Sequence, residues 1–540
     1  MKNKAPRALL SAALATALLA GCSSASESTV SAGGSAAGGG GTASSAGNLT
    51  FTLGVTSDPG TVSPYETTLG TAKQVIAFGY DTLINQADDG TVISGLAEKW
   101  SNTANSATYT LKDGVTCADG SALTATDVAD AFRYISDPKT LSPWLGRTIP
   151  TEFTVASDDA ARTVTFTTKE PFGQLLYGAG ALPIVCPKDL KNPKNLDHAF
   201  GGTGPYQVGD YVAGDHYTLT LRPDYAWGPG GVTAKEQGLP STVTIKFIAN
   251  ASTAANEMVA GNINAAQILG PDGQRVADSG ADRLELPAMA AEVHYNHREG
   301  RPTNDIRVRQ ALTMVLPMDD LVGVSTHNTG TRATNLMIRV PVLCPGDVVT
   351  GVLPQGSKDD AAKLLDEAGW TLGQDGKRAK DGKPLTLTGI FFGGQDDVTA
   401  QMELMAATWA ELGVTLTLKP VTNAVFSQTF YGSGDWDVAQ AGLNQAYPFQ
   451  MISAFDGQLP PEGLNAAAVD NAEFQALTRK AMGQPGAEGC GTWNEAWKAL
   501  IKAADVIPIS SWDRGYFVKG ATMKSLAGLY VDPMSIRVTG

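Results

Sequence analysis

A strand, a proline-containing turn and a helix follow one another between residues 292 and 316, and this order most constrains the fold. Residues 293–296 alternate apolar and polar side chains, the period-two pattern of a strand. Pro302 favours an extended backbone just before Asn304 and Asp305, two good helix N-caps. One helix face is then apolar: Val308, Ala311, Leu312 and Val315. The opposite face carries polar side chains: Arg307, Arg309 and Gln310. The pattern predicts a strand followed by an amphipathic helix.

The first seven residues of that helix region, Asp305 to Ala311, read DIRVRQA. They resemble the D-V-R-V-R-Q-A helix of the family 5 extracytoplasmic solute-binding proteins of ABC importers, the group that binds peptides and nickel. In that family, a strand ending in Asn and this helix mark the crossing from the first lobe to the second. Taken alone, the motif also suits an ordinary amphipathic helix.

Further blocks follow the order of the same family from about Leu49 onwards. Residues 95–120 are similar to its "LAESW … TYTFKLRDGVKFHDG" signature, and residues 202–206 to its "GTGPY" turn. Residues 381–385 and 434–438 match "DGKPL" and "GDYDM". The resemblance implies an α/β, two-lobed periplasmic-binding-protein-like fold (type II, cluster C) with an extra small domain in the first lobe.

The resemblance also implies boundaries for these parts. The first lobe would take three segments, residues 49–82, 201–291 and 506–540. The small domain would take residues 83–200, and the second lobe residues 292–505. A helix over 398–412 followed by a strand over 414–418 predicts a parallel sheet in the second lobe. Thr492 and Glu495 suggest a capping box for a last long helix.

The N-terminal segment is typical of a lipoprotein signal. Three basic residues precede a short apolar stretch over residues 8–20. The stretch ends in Leu19-Ala20-Gly21-Cys22, which resembles a bacterial lipobox. We therefore expect residues 1–21 to be a signal peptide and Cys22 to be lipidated. The acyl chains would hold the protein on the outer face of the bacterial cell membrane.

Residues 22–48 would form a lipidated, flexible linker, because residues 23–47 consist almost entirely of Ser, Gly, Ala and Thr. Chain statistics give such a tether a reach of about 25–30 Å. The whole chain of 540 residues carries a net charge of −14, which disfavours nucleic-acid binding. Its length suggests two or three domains.

Four cysteines remain after Cys22, an even number that suits two disulfides in an oxidising compartment. Three pairings are possible. Cys117–Cys186 with Cys344–Cys490 is favoured, because each pair then stays within one of the expected lobes. A metal site is not expected, since His294 and His297 lie three apart on a strand and point to opposite faces.

The expected binding site lies where the lobes meet. Candidate ligand-binding residues are polar or aromatic side chains near expected strand ends and crossings: Ser57, Asn296, Phe392, Asn444, Gln445, Tyr447 and Trp512. Each of them also suits core packing, and Ser57 also suits a plain surface turn. Peptide-binding members hold the peptide ammonium with the Asp of a "GW-x-A-D-Y-P" loop.

The matching stretch here is residues 442–448, in which Leu443 replaces the Trp and Ala446 replaces the Asp. The absence of the counter-charge argues against the usual peptide anchor. Asn444 and Gln445 suit a neutral polar solute or a peptide held in another way. If the loop is shifted, Asp435, Asp437 or Asp456 serves instead.

The resemblance implies the function of an ABC importer's solute-binding subunit, a monomer that delivers a peptide or another small polar molecule to a permease and its ATPase. No cofactor is expected. Two other classes stay open. An exported hydrolase would need a nucleophile–base pair, and the sequence has no Gly-x-Ser-x-Gly motif. A surface receptor or chaperone-like lipoprotein would bind a protein without lobe closure.

Overall fold

Three sheets organise the computed structural model, which describes residues 48–87, 89–526 and 530–539. The signal peptide, Cys22 and nearly all of the expected linker lie outside the described residues. The largest sheet, here the first-lobe sheet, has seven strands. In spatial order they are Asp282–Leu284, Tyr516–Val518, Ala265–Ala266, Thr50–Val55, Thr242–Phe247, His216–Leu221 and Tyr206–Val212.

The second-lobe sheet has six strands. In spatial order they are Thr331–Arg332, Val506–Asp513, Pro287–Tyr295, Val438–Gln440, Thr386–Phe392 and Thr415–Val421. Thr386–Phe392 and Thr415–Val421 pair in parallel, and the helix Asp396–Ala410 connects them. The predicted parallel βα arrangement of the second lobe is therefore correct.

The small domain is built on a four-stranded antiparallel sheet. Its strands, in spatial order, are Ala97–Asn102, Ser106–Leu111, Thr163–Thr167 and Thr154–Asp158. Its longest helix, Ala125–Ser136, begins with a capping box in which Thr124 and Asp127 satisfy each other's backbone N–H groups. The buried face of that helix, including Val128 and Phe132, packs against the sheet.

The remaining elements surround these sheets. The helices of the first lobe and the small domain are Gly70–Gly79, Ala125–Ser136, Leu175–Gly180, Pro187–Leu190, Ala251–Ala260 and Pro271–Asp278. Those of the second lobe are Ile306–Met314, Met318–Ser325, Lys358–Glu367, Asp396–Ala410, Asn423–Gln428, Phe449–Phe455, Ala472–Met482 and Cys490–Lys502. Shorter helical turns are Pro193–Leu196, Pro229–Gly231, Pro302–Asn304, Thr429–Ser433, Gly486–Gly489 and Pro533–Ser535. Small ribbons pair Ile84–Gln86 with Val92–Ser94, Thr371–Leu372 with Arg378–Lys380 and Lys383–Pro384, Ala521–Thr522 with Arg537–Val538, and Ser525–Leu526 with Tyr530–Val531.

The signature helix Ile306–Met314 starts as expected, because the Asp305 side chain accepts a hydrogen bond from the Arg307 backbone N–H. One expectation was wrong. Arg309 does not lie on an exposed polar face but is buried, and its guanidinium donates to Asp505 at 2.9 Å. The helix packs on both sides, and a carboxylate from a neighbouring segment balances the buried charge.

The last long helix begins at Cys490 rather than at the expected cap Thr492, so the capping-box prediction there was wrong. A short helical turn, Gly486–Gly489, runs directly into the helix and leaves no place for a separate side-chain cap. Cys490 itself forms a disulfide with Cys344, and Cys117 forms one with Cys186. These are the two pairs that the sequence analysis favours.

The crossings between lobes differ from the expected boundaries. Pro287–Tyr295 and Val506–Asp513 pair along most of their length, and both belong to the second-lobe sheet. The chain therefore leaves the first-lobe sheet after Leu284 and returns to it at Tyr516, not at residues 292 and 506. Both strands are largely buried, polar positions included, so the sequence alone did not show which sheet holds them.

Candidate functional site

The two crossings lie side by side and are held together by Asp513. One oxygen of its carboxylate accepts the backbone N–H groups of Leu286 at 2.6 Å and of Gly515 at 2.7 Å. The other oxygen pairs with the guanidinium of Arg283. The Arg514 N–H also donates to the Leu286 carbonyl at 3.0 Å. One aspartate thus joins both connections between the lobes into a single hinge.

Gly515 is required at this hinge by close backbone approach. A Cβ atom at this position would lie 1.7 Å from the Leu284 carbonyl oxygen and 2.8 Å from a carboxylate oxygen of Asp513. Only glycine lets the two crossing segments come this close. The hinge therefore depends on a residue whose role cannot be read from a hydrophobic pattern.

A cavity of about 350 Å³ lies where the first lobe, the small domain and the second lobe meet. This volume falls within the usual range for small-molecule sites. The first lobe and the segment after its last strand contribute Gly70, Lys73, Ile76, Ala77, Leu526 and Tyr530. The small domain contributes Ile84, Asn85, Gln86, Trp144, Arg147 and Thr148. The second lobe contributes Arg339, Asn444, Gln445, Ala446, Tyr447 and Gln450.

Three of the seven predicted site residues meet in this cavity: Asn444, Gln445 and Tyr447. The side-chain amide of Asn444 is hydrogen-bonded to the second-lobe sheet, because its Oδ1 accepts the Met289 N–H at 2.8 Å. This contact supports the strand where its pairing with Val506–Asp513 shifts register. Asn444 therefore shapes the wall, and Gln445 lines the cavity beside it.

Gln450 connects the predicted loop to the small domain. Its Oε1 accepts the backbone N–H groups of Ala446 and Tyr447, at 3.1 and 3.2 Å. Its Nε2 donates to the Thr148 hydroxyl at 3.2 Å, across the cleft. The same side chain thus fixes the loop and joins the second lobe to the small domain.

Aromatic rings form much of the apolar wall. Tyr447 is buried, and its ring lies 5.6 Å from that of Tyr177 in the small domain. Burial raises the pKa of the Tyr447 hydroxyl, so this group stays protonated at physiological pH. Trp144 donates its indole N–H to the Pro64 carbonyl at 2.7 Å, which fixes the ring. Both rings offer flat surfaces on which a ligand can stack.

Basic side chains from three parts of the chain line the same cavity: Lys73, Arg147 and Arg339. The Lys73 ammonium lies 4.6 Å from the centre of the Trp144 ring. Burial, followed by the charges of Arg339 and Arg147, lowers the pKa of Lys73 to about 8. Burial also lowers the pKa of Arg339, whose guanidinium hydrogen-bonds to the Tyr530 hydroxyl. No Asp or Glu occurs among the described residues that line this cavity.

A second cavity of about 230 Å³ adjoins the first and shares Gly70, Asn444 and Tyr530 with it. It lies nearer the hinge, between the first-lobe strand Thr50–Val55 and the crossing residue Ala288. Arg514 lines it, and the charge of Asp397 acts on this arginine. The two cavities therefore lie next to each other along the lobe boundary.

The other four predicted site residues do not line either cavity. Ser57 lies in an exposed turn, although its neighbour Thr56 lines the second cavity. Asn296 is fully buried and donates to the carbonyls of Gly434 and Trp436, so it supports the second-lobe sheet. Phe392 packs against Phe426 at 4.2 Å between ring centres. Trp512 lies on the strand before the hinge, with Arg514 5.6 Å from its ring.

The alternative aspartates are also outside the cavity. Asp437 accepts the Thr388 N–H and pairs with Arg301 at 3.1 Å, and Asp435 pairs with the same arginine. Asp456 hydrogen-bonds to the Gly457 N–H. Ala446 does line the cavity at the position where the peptide-binding pattern has its aspartate.

Lys73, Arg147, Arg339 and Trp144 also line the cavity but were not predicted from the sequence. Lys73 had one readable signal, because it is the only charged residue in the apolar helix Gly70–Gly79. Arg147 and Arg339 lie in irregular segments without a periodic pattern. Among the described residues, no cluster of His, Cys, Asp or Glu could hold a metal ion. No helix in the described ranges has the length and apolarity of a membrane span.

Comparison with known proteins agrees with this architecture. The family of bacterial extracellular solute-binding proteins, family 5, matches residues 91–455, about two thirds of the chain. The chain belongs to this family. Its members are extracytoplasmic proteins that bind peptides or other small ligands and work with ABC permeases.

Two relatives to which this chain is similar are named for different solutes. The nickel-binding periplasmic protein of Escherichia coli (strain K12) is 26% identical over 381 residues, covering 67% of this chain and 70% of the relative. The periplasmic oligopeptide-binding protein of the same strain is 24% identical over 487 residues, 83% of each chain.

A solved substrate-binding protein from Microbacterium hydrocarbonoxydans, complexed with 4-hydroxybenzoate hydrazide, has a similar fold. It is 24% identical, with a TM-score of 0.69, and the match covers 91% of this chain and 100% of that one. The two-lobed fold expected from the sequence is therefore confirmed.

Proposed function

We propose that this solute-binding protein captures one small solute in the cleft between its lobes and delivers it unchanged to an ABC permease and its ATPase. The observation that carries the proposal is a cavity of about 350 Å³ whose walls come from both lobes and the small domain. A solute in this position contacts all three parts at once. No bond in the solute needs to break.

A bound solute acts on the conformation of the protein by favouring the closed arrangement of the two lobes. Direct contacts already join the second lobe to the small domain, among them Gln450 with Thr148, Tyr447 with Tyr177 and Gln174 with Gly486. A solute that adds contacts to both sides stabilises the closed state by the difference in its affinity for the two states. The permease then recognises the closed form. The hinge at Asp513 allows rotation while keeping the two crossings together.

The choice of solute follows from what the cleft offers. Ala446 at the position of the usual aspartate argues against a peptide held by its free ammonium. Gln445 and the aromatic walls suit a small molecule with both polar and flat apolar parts. A peptide remains a possible solute if another of its groups is the anchor.

Anchoring to the membrane is part of the same proposal. Lipidation of Cys22 would place the protein, as a monomer, on the outer face of the cell membrane beside its permease. Cys22→Ala should release the protein from washed membranes into the soluble fraction. If Cys22→Ala stays bound to membranes at high salt, lipidation at this cysteine is not the anchor.

The binding function is tested by a thermal-shift screen with di- to pentapeptides, oligosaccharides and metal chelates. A true ligand at one hundred times its Kd stabilises the folded state by about 2.7 kcal/mol. Gln445→Trp fills the cavity and should abolish the shift. Gln374→Trp, at an exposed turn of the second lobe, is the matched control and should leave it intact.

Two results would refute this function. One is that no compound class shifts the melting temperature of the wild-type protein. The other is a shift that Gln445→Trp leaves unchanged, since the compound would then bind outside the cleft.

A further inference from the structure

The charge of the cleft is opposite to that of the whole chain. The chain carries a net charge of −14, yet Lys73, Arg147 and Arg339 line the main cavity. These three residues are here called the basic triad. The described residues that line either cavity include no Asp or Glu. The positive charge is therefore local to the cleft and not a property of the surface in general.

The triad members come from three separate parts of the fold. Lys73 lies on the first-lobe helix Gly70–Gly79, and Arg147 lies in the small domain between Ala125–Ser136 and Thr154–Asp158. Arg339 lies in the second lobe, before the helix Lys358–Glu367. The charge of Arg147 also acts on Tyr431, a second-lobe residue on the far side of the cleft. All three side chains nevertheless belong to residues that line one cavity.

The electrostatic interaction within the triad is direct. The charges of Arg339 and Arg147 both disfavour the protonated form of Lys73. In a partly desolvated cleft, like charges repel more strongly than they do in water. Closing the empty cleft therefore works against this repulsion, and opening relieves it.

We propose that the solute is a small organic anion, and that its carboxylate or phosphate group couples binding to lobe closure by neutralising the basic triad. This inference rests on the proposed function and specifies its solute class. The anion turns the repulsion among three cations into attraction toward one shared partner. Closure is then more favourable when the cleft is occupied than when it is empty.

The chemistry of the triad suits such a group. Arginine presents a planar set of donors that matches carboxylate and phosphate oxygens, and an ammonium adds a further charged donor. A cationic solute would add a fourth positive charge to the cleft, and a neutral solute would leave the repulsion in place. Both are disfavoured relative to an anion of the same shape.

The rest of the cavity limits the remainder of the solute. Trp144 and Tyr447 form flat apolar walls beside the triad, and Gln445 adds a neutral polar contact. The adjoining cavity of about 230 Å³ extends the space toward the hinge. The anionic group would lie at the triad, with the apolar part against the rings.

The test uses pairs of probes that differ in charge but little in shape. Each pair is measured by titration calorimetry on the mature protein. The pairs are a dicarboxylate and its diamide, an acidic tripeptide and its fully amidated form, an aryl phosphate and its parent phenol, and a nickel–polycarboxylate chelate and a nickel–polyamine chelate. In at least one pair, the anionic member should bind at least about tenfold more tightly. The phosphate and carboxylate pairs show which acidic group the triad prefers.

Variants connect this preference to the triad. Arg147→Gln removes an exposed cation and should weaken binding of the preferred anion by about tenfold to a hundredfold. Arg479→Gln removes an exposed arginine from the second-lobe helix Ala472–Met482, away from the cleft, and should change affinity less than twofold. Lys73→Met provides a second test at the first-lobe helix Gly70–Gly79. Melting temperatures equal to or above that of the wild type would show that the variants are folded.

Three outcomes decide the matter. Tighter binding of anions, lost in Arg147→Gln and kept in Arg479→Gln, supports the inference. Binding of a neutral or cationic probe in the cleft at equal or higher affinity overturns it, while the solute-binding function stands. If no probe binds and the lobes never close, both the inference and the proposed function fail.

Discussion

The hinge and the cleft of this solute-binding protein satisfy their charged groups in opposite ways. At the hinge, the carboxylate of Asp513 meets Arg283 and two backbone N–H groups within a few residues of both crossings. In the cleft, Lys73, Arg147 and Arg339 share one cavity without a carboxylate among its described lining residues. The hinge therefore has its counter-charge within the fold, whereas the basic triad is where we propose that an anionic solute binds.

Buried cations elsewhere in the chain also have carboxylate partners. The buried Arg309 pairs with Asp505 at 2.9 Å, and the buried Arg378 pairs with Asp366 at 2.6 Å. The fold therefore supplies carboxylates where it buries cations for structural reasons.

The largest expected effect is at the hinge, with Gly515→Ala. The new methyl group would collide with the Leu284 carbonyl, so the crossing segments must separate. We expect the free energy of unfolding to fall by about 3–5 kcal/mol, measured by urea denaturation. Gly491→Ala is the control, because it lies in an exposed helical position with no atom near the added Cβ. That control should be neutral or slightly stabilising. Equal stability of the two variants would contradict the close approach at the hinge.

Asp513→Ala should have the next largest effect. It leaves the N–H groups of Leu286 and Gly515 without their acceptor and removes the partner of Arg283. The expected loss is about 2–4 kcal/mol in the free energy of unfolding. Asp272→Ala, which breaks the exposed pair with Arg275 in the same lobe, should cost about 1 kcal/mol or less. A similar loss in both variants would show that Asp513 forms only another surface pair.

The pH dependence of anion affinity should be a smaller effect, confined to the cleft. The pKa of Lys73 in the unoccupied cleft is about 8, and a bound anion raises it because it favours the ammonium. Affinity should therefore be flat below pH 8 and fall by up to about tenfold per pH unit above it. Arginines do not titrate in this window, and burial raises the pKa of Tyr530 to about 12.

Calorimetric titrations between pH 7 and 10 would measure this profile, with Lys73→Met as the comparison. Lys73→Met should bind the anion more weakly than the wild type at pH 7, and its affinity should not decline as the pH rises. The same decline in wild type and variant would assign the titration to another group and remove Lys73 from the account.

The smallest expected effect is on the stability of the ligand-free protein. The pKa of Lys73 lies below its ordinary value of 10.5, so its charge destabilises the folded state at pH 7. Lys73→Met should raise the melting temperature by about 1–2 °C, while Lys235→Met, at an exposed site, should not change it. Between pH 8 and 10.5, residue 73 binds more protons in the unfolded chain than in the folded protein. The free energy of unfolding of the wild type therefore rises with pH, and the difference in melting temperature between the wild type and Lys73→Met narrows. A lower melting temperature for Lys73→Met would contradict the repulsion.

The sequence predicted the fold well wherever a pattern was local. The cap at Asp305 and the parallel pair in the second lobe follow from short-range signals. The lobe boundaries did not follow, because Pro287–Tyr295 and Val506–Asp513 are largely buried strands that suit either sheet. Pairing between distant segments decided their place.

The site was predicted only in part for a similar reason. The loop with Asn444, Gln445 and Tyr447 carried a recognisable motif and does line the cleft. The basic triad could not be predicted, because Lys73, Arg147 and Arg339 are far apart in sequence. They line one cavity only where three parts of the fold meet. Asn296 and Phe392 looked like site residues because polar and aromatic side chains at strand ends serve packing as well as binding.

The most direct measurement of the central claim is small-angle X-ray scattering of the mature protein with and without the preferred anion. We expect the radius of gyration of the wild type to fall on binding. The ligand-free double variant Lys73→Met/Arg147→Gln should already be more compact than the ligand-free wild type and should change little when the anion is added. A double variant as open as the wild type, closing equally with the same anion, would contradict the coupling of charge to closure.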